Sequence, residues 1–310
     1  MVCKECERLN YLIDKCRSLE SDKKEYQTLR DLHHQHADIL IGRCEHNLHK
    51  AIESEESNPD APAFHLSLNS DGVASDGLRF LPHKHLFHGG GTQRCDLLKI
   101  HTEFTMVHNH GTYAHVSLPD LETTGGDMTL NSIFRAVYLA LRSKQDATGQ
   151  RKQIKTLFLC LDNTVSSNKC WAVLRGLGSL VALGVAEKVK LVYRLVGHTK
   201  SEVDQTAGIV SRAIQHQRLL TPDAWRQALL GAVQEGDPSY TIVEADFMTG
   251  CPKYSSSLRD AYGDYRVRNL TRVKVVRIAM HPTENRVEYH YKSDPRVSGW
   301  FPRYMRCIPN

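Results

Sequence analysis

The chain has 310 residues, of which 41% are hydrophobic, and a formal net charge of +5 at pH 7. This length allows two modest domains or one domain with appendages, and no segment is apolar for long enough to cross a bilayer. The first ten residues lack the apolar core of a signal peptide, so we expect an intracellular protein without a membrane partner, in the cytosol or, more specifically, the nucleus.

The N-terminal part, residues 1–56, predicts a helical segment. Apolar residues recur at three- and four-residue steps on both sides of a polar stretch at 21–24, and this is the period of an amphipathic helix. The pattern fits two helices or one interrupted helix. An acidic stretch with two prolines follows, and we interpret residues 57–63 as a linker.

The chain contains nine cysteines. Because no export signal is visible, we expect thiols or metal ligands rather than disulfides. Cys3 and Cys6 have the Cys-x-x-Cys spacing of half a zinc site, so the sequence predicts zinc there. The remaining ligands are left open between Cys16, the pair His33 and His36, and residues upstream of Met1.

From residue 64 onward, strands and helices alternate. The predicted strands are 64–72, 99–111, 112–118, 153–163 and 189–197, and the predicted helices are 128–144, 170–184, 201–217 and 221–234. This order implies a mostly parallel sheet, flanked by helices, that begins with antiparallel strands. Residues 64–235 are therefore predicted to form an α/β domain, and residues 236–310 a basic β-rich extension.

Acidic residues fall where the predicted strands end. Asp71 closes the first strand and Asp162 closes the fourth, whereas Glu202 and Asp204 lie in the first turn of the helix after the fifth strand. Ligands of open α/β sheets bind at the carboxyl ends of strands. Carboxylates that converge there repel one another unless a divalent cation such as Mg²⁺ lies between them. The alternative is that these residues form turns or caps, with Asp162 capping a helix near 166–169.

Three stretches carry a resemblance to a known family: SDGVASDGLRFLPH, LDNTVSSNK and GHTKSEVDQTAGIVSRAI. They resemble blocks of an uncharacterised, transposase-like domain family of eukaryotes with the ribonuclease H-like fold of DDE/D transposases and integrases. The resemblance covers residues 64–215, and the N-terminal Cys-x-x-Cys and Trp300 resemble the family more loosely. It implies a ribonuclease H-like mixed sheet, flanked by helices, between the helical segment and the β-rich extension.

The resemblance also implies roles for individual residues. Asp71, Asp162 and Asp204 would be a catalytic triad that binds Mg²⁺ or Mn²⁺, with Glu202 as a substitute or supporting acid. Residues that orient a carboxylate or contact substrate would be Asn163, Asn168, Lys169 and His198.

The chain departs from the relatives at three positions beside these residues. Lys200 stands where they usually have a second histidine, Ala207 where they have an aromatic residue, and Thr164 where cysteine is commoner. The acids are retained while their surroundings differ, which bears on activity rather than on fold.

Two further clusters have ordinary explanations. Among seventeen histidines, the group His83, His85 and His88 is expected by chance, so we do not interpret it as a metal site. Residues 251–310 hold twelve Lys/Arg against five Asp/Glu. This excess fits either nucleic-acid backbone binding or the charged outer face of a strand pair. The residues concerned are Arg266, Arg268, Arg272, Lys274 and Arg277.

The sequence thus predicts a transposase-derived, metal-dependent phosphoryl transferase that acts on DNA phosphodiesters as a nuclease or strand transferase. The alternative from another class is a catalytically inactive, domesticated module that binds nucleic acid or protein on the same fold. A third option is a small-molecule phosphohydrolase on a Rossmann-like sheet. DNA is the expected partner, and a homo-oligomer is left open.

Overall fold

The computed structural model describes most of the chain, in segments separated by gaps. The described residues are 3–15, 20–72, 80–81, 98–117, 125–144, 149–150, 152–164, 167–195, 202–214, 217, 219, 221–232, 241–247, 252–262, 270–284, 286–294, 296 and 301–306. The helices within them are α1 (Lys4–Lys15), α2 (Glu20–Ser57), α3 (Gly126–Arg142), α4 (Trp171–Ala182), α5 (Glu202–Ile214), α6 (Pro222–Leu230) and α7 (Tyr254–Tyr262).

The described strands are β1 (Ala63–Gly72), β2 (Phe80–Leu81), β3 (Leu98–Lys99), β4 (His101–Val107), β5 (Gly111–Ser117), β6 (Gln153–Leu161), β7 (Lys188–Tyr193), β8 (Ile242–Phe247), β9 (Val275–Met280), β10 (Arg286–Lys292) and β11 (Phe301–Arg306). Nine of them form one sheet in the order β11-β10-β9-β7-β6-β1-β4-β5-β8, and β2 pairs with β3.

The central strands form a mixed sheet. β1 pairs antiparallel with β4 and parallel with β6, β4 and β5 form an antiparallel hairpin, and β6 pairs parallel with β7. The hairpin turns through Asn109, whose φ of 64° lies in the left-handed region that asparagine tolerates better than most residues. The prediction of an α/β fold with a mixed sheet is therefore confirmed. The expectation that this sheet is mostly parallel is wrong, because among its described strands five pairings are antiparallel and three are parallel.

Helices cover both faces of the sheet. On one face, α3 and α4 pack on apolar side chains such as Leu68 of β1 and Leu159 of β6. On the other face, α5 and α6 pack on Phe104 and Met106 of β4. Side chains alternate between the faces along each strand, so this second face also receives Asn69 and Cys160. Within the described part of the chain, no helix combines the length and apolarity that a membrane crossing requires.

The helix α2 lies along the second face of the sheet. Leu40 of α2 packs with Val192 and Val275, and a disulfide joins Cys44 of α2 to Cys160 of β6. The expectation that the cysteines are thiols or metal ligands is wrong for this pair. The two residues are 116 positions apart, and only the docking of α2 on the sheet brings them together. Since α2 continues to Ser57, the acidic stretch before the predicted linker is helical.

The C-terminal strands continue the central sheet. β9 pairs antiparallel with β7, and β10 joins β9 and β11. Tyr289 of β10 is buried, and its hydroxyl donates a hydrogen bond to the carbonyl of Leu174 in α4 at 3.2 Å. A Cβ atom on Gly178 of α4 would lie 1.8 Å from that hydroxyl oxygen. The close approach of α4 to β10 therefore requires glycine at position 178.

We expect Gly178→Ala to lower the free energy of unfolding by about 1–3 kcal/mol, because Tyr289 must move out of a packed position. The measurement is urea unfolding followed by far-UV circular dichroism. Gly42→Ala is the control, since no atom lies within 4 Å of its added Cβ and helix propensity alone should stabilise that variant slightly. Equal stabilities for Gly178→Ala and wild type would contradict the packing of β10 on α4.

Candidate functional site

Two predicted acids lie side by side at the carboxyl edge of the sheet. In the parallel register of β1 with β6, Ser70 pairs with Leu161. Asp71 and Asp162 follow these partners directly. β1 continues through Gly72, and both carboxyl groups are half-buried. Asp162 accepts a hydrogen bond from the backbone N–H of Asn163 at 2.7 Å, whereas the N-cap of α4 is Cys170. The described residues 167–169 form a turn rather than the start of a helix, and Asp162 does not cap α4.

The other two acids lie on the first turn of α5. This helix packs its buried residues Val203, Thr206 and Val210 toward the sheet, so its N-terminus lies near the carboxyl end of β1. Glu202 accepts hydrogen bonds from Asn69 Nδ2 and from His108 Nε2, each at 2.8 Å. The hydrogen bond from His108 is the largest cause that lowers the pKa of Glu202 below its ordinary value, and the hydrogen bond from Asn69 lowers it further. Asp204 is exposed one residue beyond Val203.

The acids interact electrostatically. Burial, together with the charges of Asp162 and Asp204, raises the pKa of Asp71 from 3.8 to about 7. Burial also raises the pKa of Asp162, and the charge of Asp204 raises it further. The charges of Asp162 and Asp204 thus disfavour ionisation of Asp71, and the charge of Asp204 disfavours ionisation of Asp162. The structure brings together the three acids that the sequence singled out.

An arginine that the sequence prediction missed lies among these acids. Arg194 directly follows β7, and its Nε donates a hydrogen bond to Cys160 Sγ at 3.2 Å. Burial lowers its pKa, although the charges of four carboxylates oppose this effect, namely those of Glu202, Asp71, Asp204 and Asp162. The predicted strand ran to residue 197, which placed Arg194 inside it. The observed strand ends at Tyr193, so Arg194 lies at the same edge as the acids.

The residues after Asp162 support the loop that follows β6. The Lys169 amine donates hydrogen bonds to Asn163 Oδ1 at 2.8 Å and to the Thr271 carbonyl at 2.7 Å. Burial lowers the pKa of Lys169 to about 7. Asn168 is also buried and accepts a hydrogen bond from the hydroxyl of Thr129 at 3.1 Å. In this structure Asn168 and Lys169 bond to the protein itself, and Lys169 orients Asn163.

A further buried carboxyl group lies on the other face of the sheet. Glu103 of β4 is 3% exposed and accepts a hydrogen bond from the Ser70 hydroxyl at 2.9 Å. Burial raises its pKa to about 7. Ser70 precedes Asp71, so Glu103 fixes the end of β1 from the opposite side. Nothing in the alternating sequence HTEFTMV distinguishes Glu103 from an exposed strand residue.

The donor set at the acidic edge fits a hard divalent cation, because Mg²⁺ and Mn²⁺ prefer carboxylate oxygens. The three carboxylates are nevertheless more widely spread than a completed site. Among the described residues, the only group of three or more metal-ligating side chains with all ligand atoms within 4.8 Å is Cys3, Cys6 and His33. The oxygens of Asp71, Asp162 and Asp204 would have to converge on an ion.

The N-terminal group could hold a metal ion. It joins the start of α1 to α2: Cys3 Sγ lies 3.2 Å from His33 Nε2, and Cys6 Sγ lies 3.3 Å from His34 Nε2. Of the partners left open by the sequence, the structure brings His33 to the cysteines. His36 instead lies one turn further along α2, with its Nε2 atom 3.7 Å from Asp294 Oδ1.

Some predicted residues lie outside the described ranges. They are Cys16, His83, His85, His88, His198, Lys200, Arg266, Arg268 and Trp300. Of the predicted basic strip, Arg272, Lys274 and Arg277 are described, and Lys274 is half-buried with a pKa lowered by burial.

Comparison with known proteins identifies the family. The family model described as domain of unknown function (DUF7869) matches residues 91–295, which is more than half of the chain. The chain belongs to the DUF7869 family. The matched range includes Asp162, Glu202 and Asp204 of the acidic edge, and it begins after Asp71. No curated protein and no solved structure matches the chain.

Proposed function

We propose that this DUF7869 protein is a metal-dependent phosphoryl transferase of transposase origin that cleaves or joins DNA phosphodiesters. The observation that carries the proposal is the position of Asp71 and Asp162 at adjacent carboxyl ends of two parallel strands, with Asp204 on the helix beside them. The strand order and this placement of acids support the ribonuclease H-like fold that the sequence resemblance implies.

The residues at the acidic edge would have different roles in this reaction. Asp71 and Asp162 would hold Mg²⁺ or Mn²⁺ on rigid strands, and Asp204 would complete the set from α5. Such an ion activates an attacking water or 3′-hydroxyl and offsets the negative charge of the phosphodiester. Glu202 keeps Asn69 and His108 in place through its two hydrogen bonds. Arg194 adds a positive charge beside the carboxylates, where a phosphate oxygen would lie.

The direct test is a nicking assay on supercoiled DNA with the purified full chain. We expect nicking in Mg²⁺ or Mn²⁺ and none in EDTA, because the carboxylates alone repel a phosphodiester. Nicking that persists in EDTA would contradict a metal-dependent mechanism. Absence of nicking together with retained DNA binding would favour the alternative, an inactive nucleic-acid-binding module on the same fold.

We also propose that zinc binds the N-terminal group. The ligand atoms of Cys3, Cys6 and His33 lie within 4.8 Å of one another. The His34 imidazole, 3.3 Å from Cys6 Sγ, would complete the Cys₂His₂ set of structural zinc sites. Zinc would fix the start of α1 against α2, where Leu9 is buried. This proposal concerns the stability of the helical segment and is independent of the acidic edge.

For zinc, we expect Cys3→Ser to lose one equivalent of bound metal and to make α1 more sensitive to protease, because binding energy at a structural site stabilises the folded segment. The measurements are zinc content by atomic absorption and limited proteolysis. Cys170→Ser is the control, since Cys170 belongs to the start of α4. Equal zinc content in wild type and Cys3→Ser would contradict the site.

A further inference from the structure

A cavity lies between α2 and the second face of the sheet. Its volume is about 130 Å³, roughly ten times the space that one water molecule needs. α2 contributes Glu45, Asn47 and Leu48 to its lining, and the opposite wall includes Asn69 and Phe158. The volume accommodates one planar ring system and is too small for a segment of duplex.

The cavity lies next to the acidic edge on the same face of the sheet. Asn69 pairs with Cys160 in the register of β1 with β6, and both residues line the cavity. Since side chains two residues apart in a strand share a face, Asp71 and Asp162 come next along the same face, about 7 Å away. Within one nucleotide, the sugar between the phosphate and the base can span the distance from the acidic edge to the cavity. Glu202 and Arg194 also line the cavity, so the cavity and the acidic edge share these two residues.

The lining has the chemistry of a site for a flat, hydrogen-bonding group. Phe158 and Leu48 are apolar, and Asn47 brings a side-chain amide. The charged groups of the lining are the carboxylates of Glu45 and Glu202 and the guanidinium of Arg194. The two carboxylates outnumber the one guanidinium, so the cavity favours a group that donates N–H hydrogen bonds over a second phosphate. Cytosine, adenine and guanine carry an exocyclic amino group that can donate such bonds, whereas thymine has no amino group and can donate only through its ring N3–H. Enzymes that take a base out of the stack recognise it by hydrogen bonds along its edge and by apolar contacts.

We propose that this cavity binds a single unpaired nucleobase with an exocyclic amino group, from the nucleotide next to the phosphodiester held at the acidic edge. The inference rests on the proposed function, since it names the part of the DNA that the neighbouring cavity accepts. It assigns α2, which the sequence placed in a separate helical segment, to the substrate-binding surface. It also implies that strand cleavage prefers sites where the base is already unpaired.

The test uses the full chain without metal and the four deoxynucleosides as probes, with binding followed by ligand-observed saturation-transfer NMR. We expect deoxycytidine, deoxyadenosine or deoxyguanosine to bind at least about tenfold more tightly than thymidine. Leu48→Trp, which fills the cavity, should abolish this binding. Leu29→Trp is the matched control on the same helix, because Leu29 is 42% exposed and does not line the cavity.

Three outcomes would overturn the inference: no nucleoside binds, thymidine binds as tightly as the others, or Leu48→Trp binds as well as Leu29→Trp. The proposed metal chemistry fails by a different experiment. If the protein binds nucleosides in the cavity but does not bind Mn²⁺, the proposed base site stands and the proposed phosphoryl transferase is contradicted. If it binds Mn²⁺ but no nucleoside, the proposed base site is contradicted and the proposed metal site stands.

Discussion

Replacing Asp162 by asparagine is expected to reduce metal-dependent nicking of DNA by at least about 10³-fold while leaving the fold intact. An amide oxygen carries no charge, so the ion would lose one of the two carboxylates that rigid strands provide. The side chain follows the buried Leu161 and is not itself part of the apolar core, so the substitution should not disturb packing. The measurement is the initial rate of nicking at saturating Mg²⁺.

The matched control for this prediction is Asp246→Asn. Asp246 is an exposed aspartate of β8 at the edge of the sheet. We expect its nicking rate to stay within about twofold of wild type, because exposed substitutions away from a site have small effects. Equal nicking rates for Asp162→Asn and Asp246→Asn would contradict a role of Asp162 in the reaction.

The stability of the metal-free protein should fall as the pH rises from about 4 to about 7. In the unfolded chain Asp71 ionises near its reference pKa of 3.8, whereas in the folded protein its pKa is about 7. Between these values the unfolded state gains ionised carboxylate while the folded state holds the proton, so unfolding becomes easier. The difference between these two pKa values of Asp71 corresponds to a loss of at most roughly 4 kcal/mol in the free energy of unfolding.

We expect Asp71→Asn to remove most of this loss, so that the metal-free variant melts at a higher temperature than wild type at pH 8 and nearly the same temperature at pH 4. Glu103, whose pKa is also raised to about 7, should leave a smaller dependence on pH in the variant. Thermal unfolding by circular dichroism in EDTA is the measurement. The idea fails if Asp71→Asn and wild type lose stability in parallel between pH 4 and pH 8.

Most of the central architecture was predictable because local patterns encode it. The apolar run 157–161 and the alternation of strands with helices predicted the core strands, and a strand that ends in aspartate predicted the acidic edge. The β4–β5 hairpin was predictable as the two consecutive strands 99–111 and 112–118, although the observed turn at Asn109 lies inside the first of them. These features depend on neighbours in sequence, so a single chain reveals them.

The missed features depend on contacts between distant parts of the chain. β8 is an edge strand that pairs only with β5 among the described strands, and its sequence IVEADF carries no strong alternation. The docking of α2 on the sheet, the Cys44–Cys160 disulfide and the cavity beneath α2 all follow from one tertiary contact. Because a helix with an apolar stripe can dock on any apolar surface, the sequence of α2 alone could not predict this partner.

The most direct test of the metal site is titration calorimetry of Mn²⁺ into wild type, Asp71→Asn and Asp162→Asn, with a short DNA duplex present and Asp246→Asn as control. We expect wild type and Asp246→Asn to bind Mn²⁺ at the acidic edge and both other variants to lose that binding, with unchanged circular dichroism spectra. The protein should be saturated with zinc before the titration, so that metal binding at the N-terminal cysteines does not contribute to the measured heat. Equal Mn²⁺ binding by all four proteins would contradict a metal site at Asp71 and Asp162.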